Sequence, residues 1–160
     1  MLSVKMICVG RMRERFYIEA FNEYVKRLQP YCKFQLAEPG EVKLADSPSQ
    51  KELEKVLDKE AEDIFAAIPQ DSYVAALCIE GREMSSPELA KLVADVEASG
   101  RPRLCFIIGG SYGLSSKVKA RADLKLSMSP MTFPHHLARV MLAEQLYRSF
   151  KINEGSRYHK

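Results

Sequence analysis

The sequence lacks any apolar run near the roughly 20 residues that a membrane-spanning helix requires. It also lacks a secretory signal, because the N-terminal stretch MLSVKMICVGRMRERF places arginines after a short apolar run, the reverse of the signal order. Repeats and low-complexity tracts are absent as well. These absences favour a globular cytoplasmic protein and argue against a membrane protein.

Cysteine pairs with metal-ligand spacing are also missing. The four cysteines lie in apolar surroundings, without a C-x-x-C pair or a histidine at ligand spacing. Neither a zinc site nor a disulfide scaffold is therefore indicated, and we expect buried free thiols and no metal. A chain of 160 residues can bury a sufficient core without such links, so we expect one domain over residues 1–160.

Acidic residues are scarce near the C-terminus. Residues 101–160 have 3 acidic residues against 11 Lys and Arg, whereas residues 1–100 have 18 against 13. A basic half favours a polyanionic partner such as RNA, although a solvated basic surface explains the same charge equally well.

Short apolar runs alternate with segments of helical periodicity. Strands are predicted at 4–10, 34–38, 73–79, 104–108 and 124–128, and helices at 16–28, 49–69, 87–100, 116–122 and 135–150. Ser49 and Ser86 are the expected N-caps of the second and third helices. This alternation predicts an α/β fold with a mostly parallel sheet and helices on both faces. In the last helix, the predicted core face carries Leu137, Val140, Met141 and Tyr147.

Ligands of parallel sheets bind beyond the carboxyl ends of the strands, which directs attention to three loops. In IIGGSYGLS, paired glycines allow positive φ angles and close approach of a ligand to backbone N–H groups, although a purely structural turn is as good an explanation. In SMSPMTFP, prolines and hydroxyls around an uncharged backbone suit a nucleobase, and an ordinary connection is the alternative. The third loop follows Ile79.

The final helix and the tail contain further candidates. His135 and His136 diverge by about 100° on a helix, so one metal ion cannot readily take both. Glu144 would need an arginine partner if buried. The closing Tyr158, His159 and Lys160 are either frayed or able to fold over a bound nucleotide.

Read in order, FIIGGSYGLS, LSMSPMTFPHHLARVMLAEQLYRSFKI and the terminal YHK resemble the RlmH family of the SPOUT class of RNA methyltransferases. The resemblance covers essentially the whole chain. It implies a homodimer whose C-terminal part, about residues 73–160, forms a deep trefoil knot. It also implies that S-adenosyl-L-methionine is the cofactor and that N3 of a pseudouridine in the helix 69 hairpin of large-subunit ribosomal RNA is methylated on the assembled ribosome.

The resemblance also implies site residues. The cofactor pocket would comprise Leu77, Gly109, Met128, Ser129, Pro130, Met131, Thr132 and Phe133. The catalytic candidates are Arg148, His159, Tyr158 and His135, with Arg148 and the tail positioning the base and His159 accepting or relaying its proton. The basic half from Arg101 onward would supply the RNA-docking surface.

Three other functions stay open. A related knotted methyltransferase with another RNA target would keep the same cofactor loops. A ribosome-binding assembly factor would keep the basic surface without catalysis. A doubly wound nucleotide-binding oxidoreductase is disfavoured, because VGRMRER after the first strand lacks G-x-G-x-x-G.

Overall fold

The computed structural model describes all residues, 1–160, as alternating strands and helices. The strands are β1 (Ser3–Cys8), β2 (Lys33–Ala37), β3 (Tyr73–Glu83), β4 (Arg103–Ile108) and β5 (Leu124–Ser127). The helices are α1 (Arg15–Leu28), α2 (Gln50–Ala67), α3 (Ser86–Ala98), α4 (Ser116–Arg121) and α5 (His135–Asn153). Each predicted element is present, and β3 and α5 extend beyond their predicted ends.

The strands form one five-stranded sheet in the order β2-β1-β4-β3-β5. All four strand pairs are parallel, which confirms the predicted sheet. Because the strands are parallel, the loops that follow them all emerge at one edge. β3, β4 and β5, whose loops the sequence marks as candidates, are neighbours in this order.

Each face of the sheet is covered by its own hydrophobic core, as a parallel sheet requires. One core joins the sheet to α1, α3 and α5, with Phe21, Val93 and Leu146 among its buried residues. The other joins the opposite face to α2 and α4 through Ile64 and Val118. The helices therefore lie on both faces, as predicted.

The predicted core face of α5 is wrong. Its buried residues are Ala138, Arg139, Leu142, Ala143, Leu146, Ser149 and Phe150. Val140 and Tyr147 pack only at the margin of the core, and Leu137 and Met141 are not part of it. The reason is that α5 has apolar residues around its whole circumference, so periodicity alone does not select the stripe that faces the sheet.

Two smaller expectations also need correction. The N-cap of α3 is Ser85 and not Ser86: Ser85 and Glu88 form a reciprocal capping box. The prediction of a helix at 16–28 rests on an apolar residue at every fourth position from Phe16, but Phe16 itself is 64% exposed. Ser49 caps α2 as predicted, since its side chain accepts a hydrogen bond from the Glu52 backbone N–H.

All four cysteines are free thiols, and three of them are buried while Cys78 is partly exposed. Burial raises the pKa of Cys8 and of Cys105 to about 12, so both stay protonated at neutral pH. None of the helices has the length and apolar character needed to cross a membrane.

Candidate functional site

A cavity of about 750 Å³ lies at the carboxyl ends of β3, β4 and β5. The three loops that the sequence marks as candidates all contribute to its walls. Of the predicted cofactor-pocket residues, only Pro130 does not line it. Those that do are Leu77, Gly109, Met128, Ser129, Met131, Thr132 and Phe133.

The loop after β5 is held in shape by hydrogen bonds between residues that are two positions apart in the sequence. The Ser129 hydroxyl accepts from the Met131 backbone N–H at 3.0 Å, and the Ser127 hydroxyl donates to the Ser129 carbonyl at 3.1 Å. Pro134 then forms the N-cap of α5. The loop thus presents uncharged side chains and backbone groups to the cavity, and Met131 is 72% exposed at its rim.

In the turn after β4, glycine is required mainly because the backbone segments approach each other closely, and less because of positive φ angles. A Cβ on Gly109 would lie 2.3 Å from the Gly113 carbonyl oxygen. Positive φ occurs only at Gly113, at 80°, and not at the paired Gly109 and Gly110 where we expected it. The Gly113 N–H donates to the Gly110 carbonyl at 3.1 Å, closing a tight turn with Ser111 and Tyr112 at its tip.

Glu41 braces this turn, and no sequence pattern indicates its role. Its Oε1 accepts a hydrogen bond from the Ser111 backbone N–H at 3.0 Å. A Cβ on Gly110 would lie 2.7 Å from that same oxygen, so glycine is what lets the carboxylate approach. An acidic residue in a long loop between β2 and α2 has no periodic or motif context that could identify it.

The segment after Leu77 forms the third wall. Leu77 and Arg82 both pair with Leu126 of β5, so residues 78–81 bulge outward between them. Gly81 lies against β5, where a Cβ would be 2.7 Å from the Lys125 carbonyl. Glu80 in the bulge binds Lys119 at 2.5 Å, and this hydrogen bond lowers the pKa of Glu80. Both charged residues line the cavity.

His135, the first residue of α5, lines the same cavity. Its Nε2 is buried and has no hydrogen-bond partner. Burial lowers the pKa of His135, with a smaller contribution from the neighbouring His136, whose ring centroid is 4.1 Å away. An imidazole that favours its neutral form therefore lines the cavity, with its Nε2 buried in the wall.

The other three catalytic candidates form a separate cluster. Arg148 binds Glu144 at 2.6 Å, contacts His159 Nδ1 at 3.1 Å and stacks on the Tyr158 ring at 4.8 Å. Tyr158 donates to Glu144 at 3.1 Å. The expected arginine partner of Glu144 is thus present, and the tail folds back onto α5. None of these three candidates lines the larger cavity.

Protonation within this cluster follows from its contacts. The Glu144 carboxylate raises the pKa of Arg148, which stays charged. Burial and the bond to Glu144 raise the pKa of Tyr158, which stays a neutral phenol. A guanidinium only donates, so His159 Nδ1 accepts from Arg148 and its Nε2 carries the hydrogen.

A second cavity, of about 380 Å³, is lined by residues at the end of β5, the start of α3 and the middle of α5. Glu144 lines it, and it shares Leu126 and Met128 with the larger cavity. The Arg148 cluster therefore lies on the far side of the wall formed by the end of β5. Nowhere do three or more His, Cys, Asp or Glu side chains come together as metal ligands.

Arg139 holds the start of α5 in place, and it is not among the candidate residues that the sequence suggests. Its side chain is fully buried and binds Glu38 at 2.7 Å and the Gly10 carbonyl at 2.9 Å. These bonds tie the start of α5 to the chain that follows β1 and β2. An arginine inside a helical apolar stretch could have indicated a buried ion pair, but it does not reveal its partner.

Comparison with known proteins agrees with this arrangement. Residues 2–159 match the family described as "Predicted SPOUT methyltransferase". The chain is 45% identical over 159 residues to ribosomal RNA large subunit methyltransferase H of Clostridioides difficile, covering 99% of this chain and 100% of that protein. The protein of the same name from Streptococcus uberis is 42% identical with the same coverage.

A solved structure shows the same fold. A probable methylase family protein from Haemophilus influenzae superposes with a TM-score of 0.55 at 15% identity, covering 100% of this chain and 72% of that one. The likeness supports the fold alone. From the family match and the full-length relatives together, the chain belongs to the RlmH family of SPOUT methyltransferases.

Proposed function

We propose that this protein uses S-adenosyl-L-methionine to methylate N3 of a pseudouridine in helix 69 of large-subunit ribosomal RNA, acting in the cytoplasm on the assembled ribosome. Its relatives carry the name ribosomal RNA large subunit methyltransferase, which supports ribosomal RNA as the substrate. The observation that carries the proposal is the convergence of the three candidate loops on one cavity.

The cavity suits the proposed cofactor. A volume of about 750 Å³ lies in the range of sites for nucleotide-sized ligands. The loop after β5 offers uncharged backbone and apolar side chains for an adenine ring. At the glycine turn, Gly109 and Gly110 let the chain fold tightly against Gly113 and Glu41, which sets the shape of this wall. His135 adds an imidazole ring to the wall.

When bound, the cofactor supplies an electrophilic methyl group, and N3 of the base must lose its proton. Arg148, kept charged by Glu144, can stabilise the anion that develops on the base. The neutral Tyr158 can orient the base through its hydroxyl. In our proposal, His159 accepts the N3 proton at Nδ1 once Arg148 turns from His159 toward the anion.

The proposal includes a homodimer and a deep trefoil knot over about residues 73–160, as family membership implies. Two half-buried residues of α5 support the dimer. Leu137 and Met141, one turn apart on this helix, do not belong to the core of their own chain. Apolar side chains that stay partly exposed in one chain suit contact with a second copy.

Methyl transfer is the experiment that tests the function. Labelled cofactor would be incubated with ribosomes that lack native large-subunit modification, with separated subunits and free ribosomal RNA in parallel. We expect label in a pseudouridine of large-subunit RNA, with the highest incorporation on assembled ribosomes. A T132A/M128A variant, altered in the cofactor loop, should lose incorporation together with cofactor affinity.

Two other results would contradict the proposal in different ways. Labelling of another nucleotide would indicate a knotted methyltransferase with a different target. Salt-sensitive ribosome binding without cofactor affinity would indicate an assembly factor, for which the glycine turn and the loop after β5 are purely structural.

A further inference from the structure

The basic C-terminal part of the sequence does not form a free basic surface. Most of its cations bind carboxylates, and many of those carboxylates come from residues 1–100. The pairs are Arg101–Asp71 at 2.8 Å, Lys117–Asp58 at 3.4 Å, Lys119–Glu80 at 2.5 Å and Arg139–Glu38 at 2.7 Å. Folding thus neutralises much of the charge excess that the sequence assigned to RNA docking, and the docking surface must be sought elsewhere.

Two exposed arginines in the β1–α1 loop remain free. Arg11 and Arg13 are exposed, and neither forms an ion pair or a side-chain hydrogen bond. Their guanidinium groups are thus available to a partner. Arginine suits phosphate recognition because its planar donors match phosphate oxygens in pairs.

This loop lies beside the larger cavity. Glu14, next to Arg13, approaches His136 Nδ1 at 3.5 Å, and the adjoining His135 lines the cavity. At the other end of the loop, a Cβ on Gly10 would lie 3.4 Å from the carboxylate of Glu41, which braces the glycine turn. Arg11 and Arg13 therefore lie on a segment whose two ends are close to His136 and Glu41, which in turn adjoin the cavity-lining His135 and the glycine turn.

The acidic groups near this loop are already engaged. Glu14 faces His136, Glu38 binds Arg139, and Glu41 accepts the Ser111 N–H. These contacts direct their negative charge toward groups of the protein. The two free arginines thus leave the exposed side of the loop locally basic.

An exposed aromatic residue follows the arginines in the sequence, at the start of α1. Phe16 is 64% exposed, and its ring lies 4.4 Å from that of Tyr17. Exposed rings next to free cations are typical of surfaces that bind unpaired nucleotides, where bases stack on the ring and phosphates contact the cations.

We propose that Arg11, Arg13 and Phe16 form the docking surface for an unpaired RNA loop that carries the acceptor base. This inference rests on the proposed function, because it takes RNA as the substrate. Arg11 and Arg13 contact phosphates on either side of the acceptor, and Phe16 stacks on a flanking base. The surface holds the loop at the mouth of the cavity and takes no part in methyl transfer itself.

The test compares R11Q/R13Q with K51Q/K55Q, which removes the same charge from exposed, unpaired lysines on α2. Binding to a labelled RNA hairpin and to ribosomes is measured over a salt series. We expect R11Q/R13Q to bind roughly tenfold more weakly, with a log–log salt slope shallower by about 1.4, since each phosphate contact to a single strand contributes about 0.7. The cofactor affinity of R11Q/R13Q should match that of wild type. K51Q/K55Q should bind RNA with the affinity and salt slope of wild type.

F16L tests the ring separately. Loss of stacking should weaken binding by about tenfold with the salt slope unchanged, because no charge is removed. If F16L binds as wild type does, the ring has no part in the surface. If R11Q/R13Q keeps both wild-type affinity and salt slope while wild type methylates RNA, the inference fails and the proposed function stands.

Two remaining outcomes are also decisive. If wild type neither binds nor methylates RNA, the proposed function fails and takes this inference with it. If R11Q/R13Q or F16L changes the mass of the protein in solution, the surface belongs to a contact between copies of the chain and the inference is overturned.

Discussion

At the scale of single residues, Arg139 shows how a buried charge can organise a site that it does not enter. Its side chain is 1% exposed, whereas that of Glu38 is 28% exposed. We expect R139M to lower the free energy of unfolding by about 3 kcal/mol, because it leaves Glu38 and the Gly10 carbonyl without their donor. Urea denaturation measures the change.

The matched control is K91M, which breaks an exposed pair with Asp95 and should cost less than about 0.5 kcal/mol. R139M/E38Q should recover part of the loss, since the carboxylate no longer lacks a partner. A loss for R139M no larger than that for K91M would mean that the buried pair does not stabilise the fold.

His159 poses a different question at this scale, because its Nδ1 is engaged by Arg148. As a proton acceptor it would be irreplaceable, whereas as a support for Arg148 it could be replaced by another acceptor. We expect both H159A and H159N to lower single-turnover methyl transfer by roughly 100-fold with cofactor affinity unchanged. Recovery in H159N, whose amide oxygen can still accept from Arg148, would contradict the role of base and assign His159 to positioning.

At the scale of elements, local chemistry explains why the strands and helices could be predicted. Buried strands such as β4 are continuous apolar runs, and Ser49 marks the start of α2. The inward face of α5 could not be predicted, since its apolar residues surround the helix. Nor could the contact of Glu41 with the glycine turn, because it joins residues 70 positions apart in the sequence.

The glycine turn yields a prediction that tests whether glycine is needed at Gly109 for close backbone packing or only for flexibility. In G109A, the new Cβ would lie 2.3 Å from the Gly113 carbonyl oxygen, so the turn must open. We expect cofactor affinity to fall by at least tenfold, as measured by calorimetry. G100A is the control, because a Cβ there meets nothing within 4 Å. Equal affinities for the two variants would show that the turn does not shape the cofactor site.

At the scale of the whole molecule, charge and apolar surface point to different partners. The ion pairs between the acidic and basic parts of the chain, such as Arg101 with Asp71, stabilise one chain and neutralise part of the basic excess after residue 100. Apolar side chains that are only half-buried and lie outside the core are found on α5, at Leu137 and Met141. The first feature limits where RNA can dock, and the second is the basis on which we propose a contact with another copy of the chain.

The last prediction follows from that apolar surface. Wild type should have a solution mass about twice the 18.1 kDa of one chain, measured by light scattering. L137E/M141E should have the mass of a single chain, because two carboxylates would lose their hydration in a contact between copies.

The control F65E alters a 38% exposed ring on α2 and should stay dimeric. Circular dichroism would check that each variant is folded. A folded L137E/M141E variant that remains dimeric would place the contact between copies elsewhere. Leu137 and Met141 would then have no part in it.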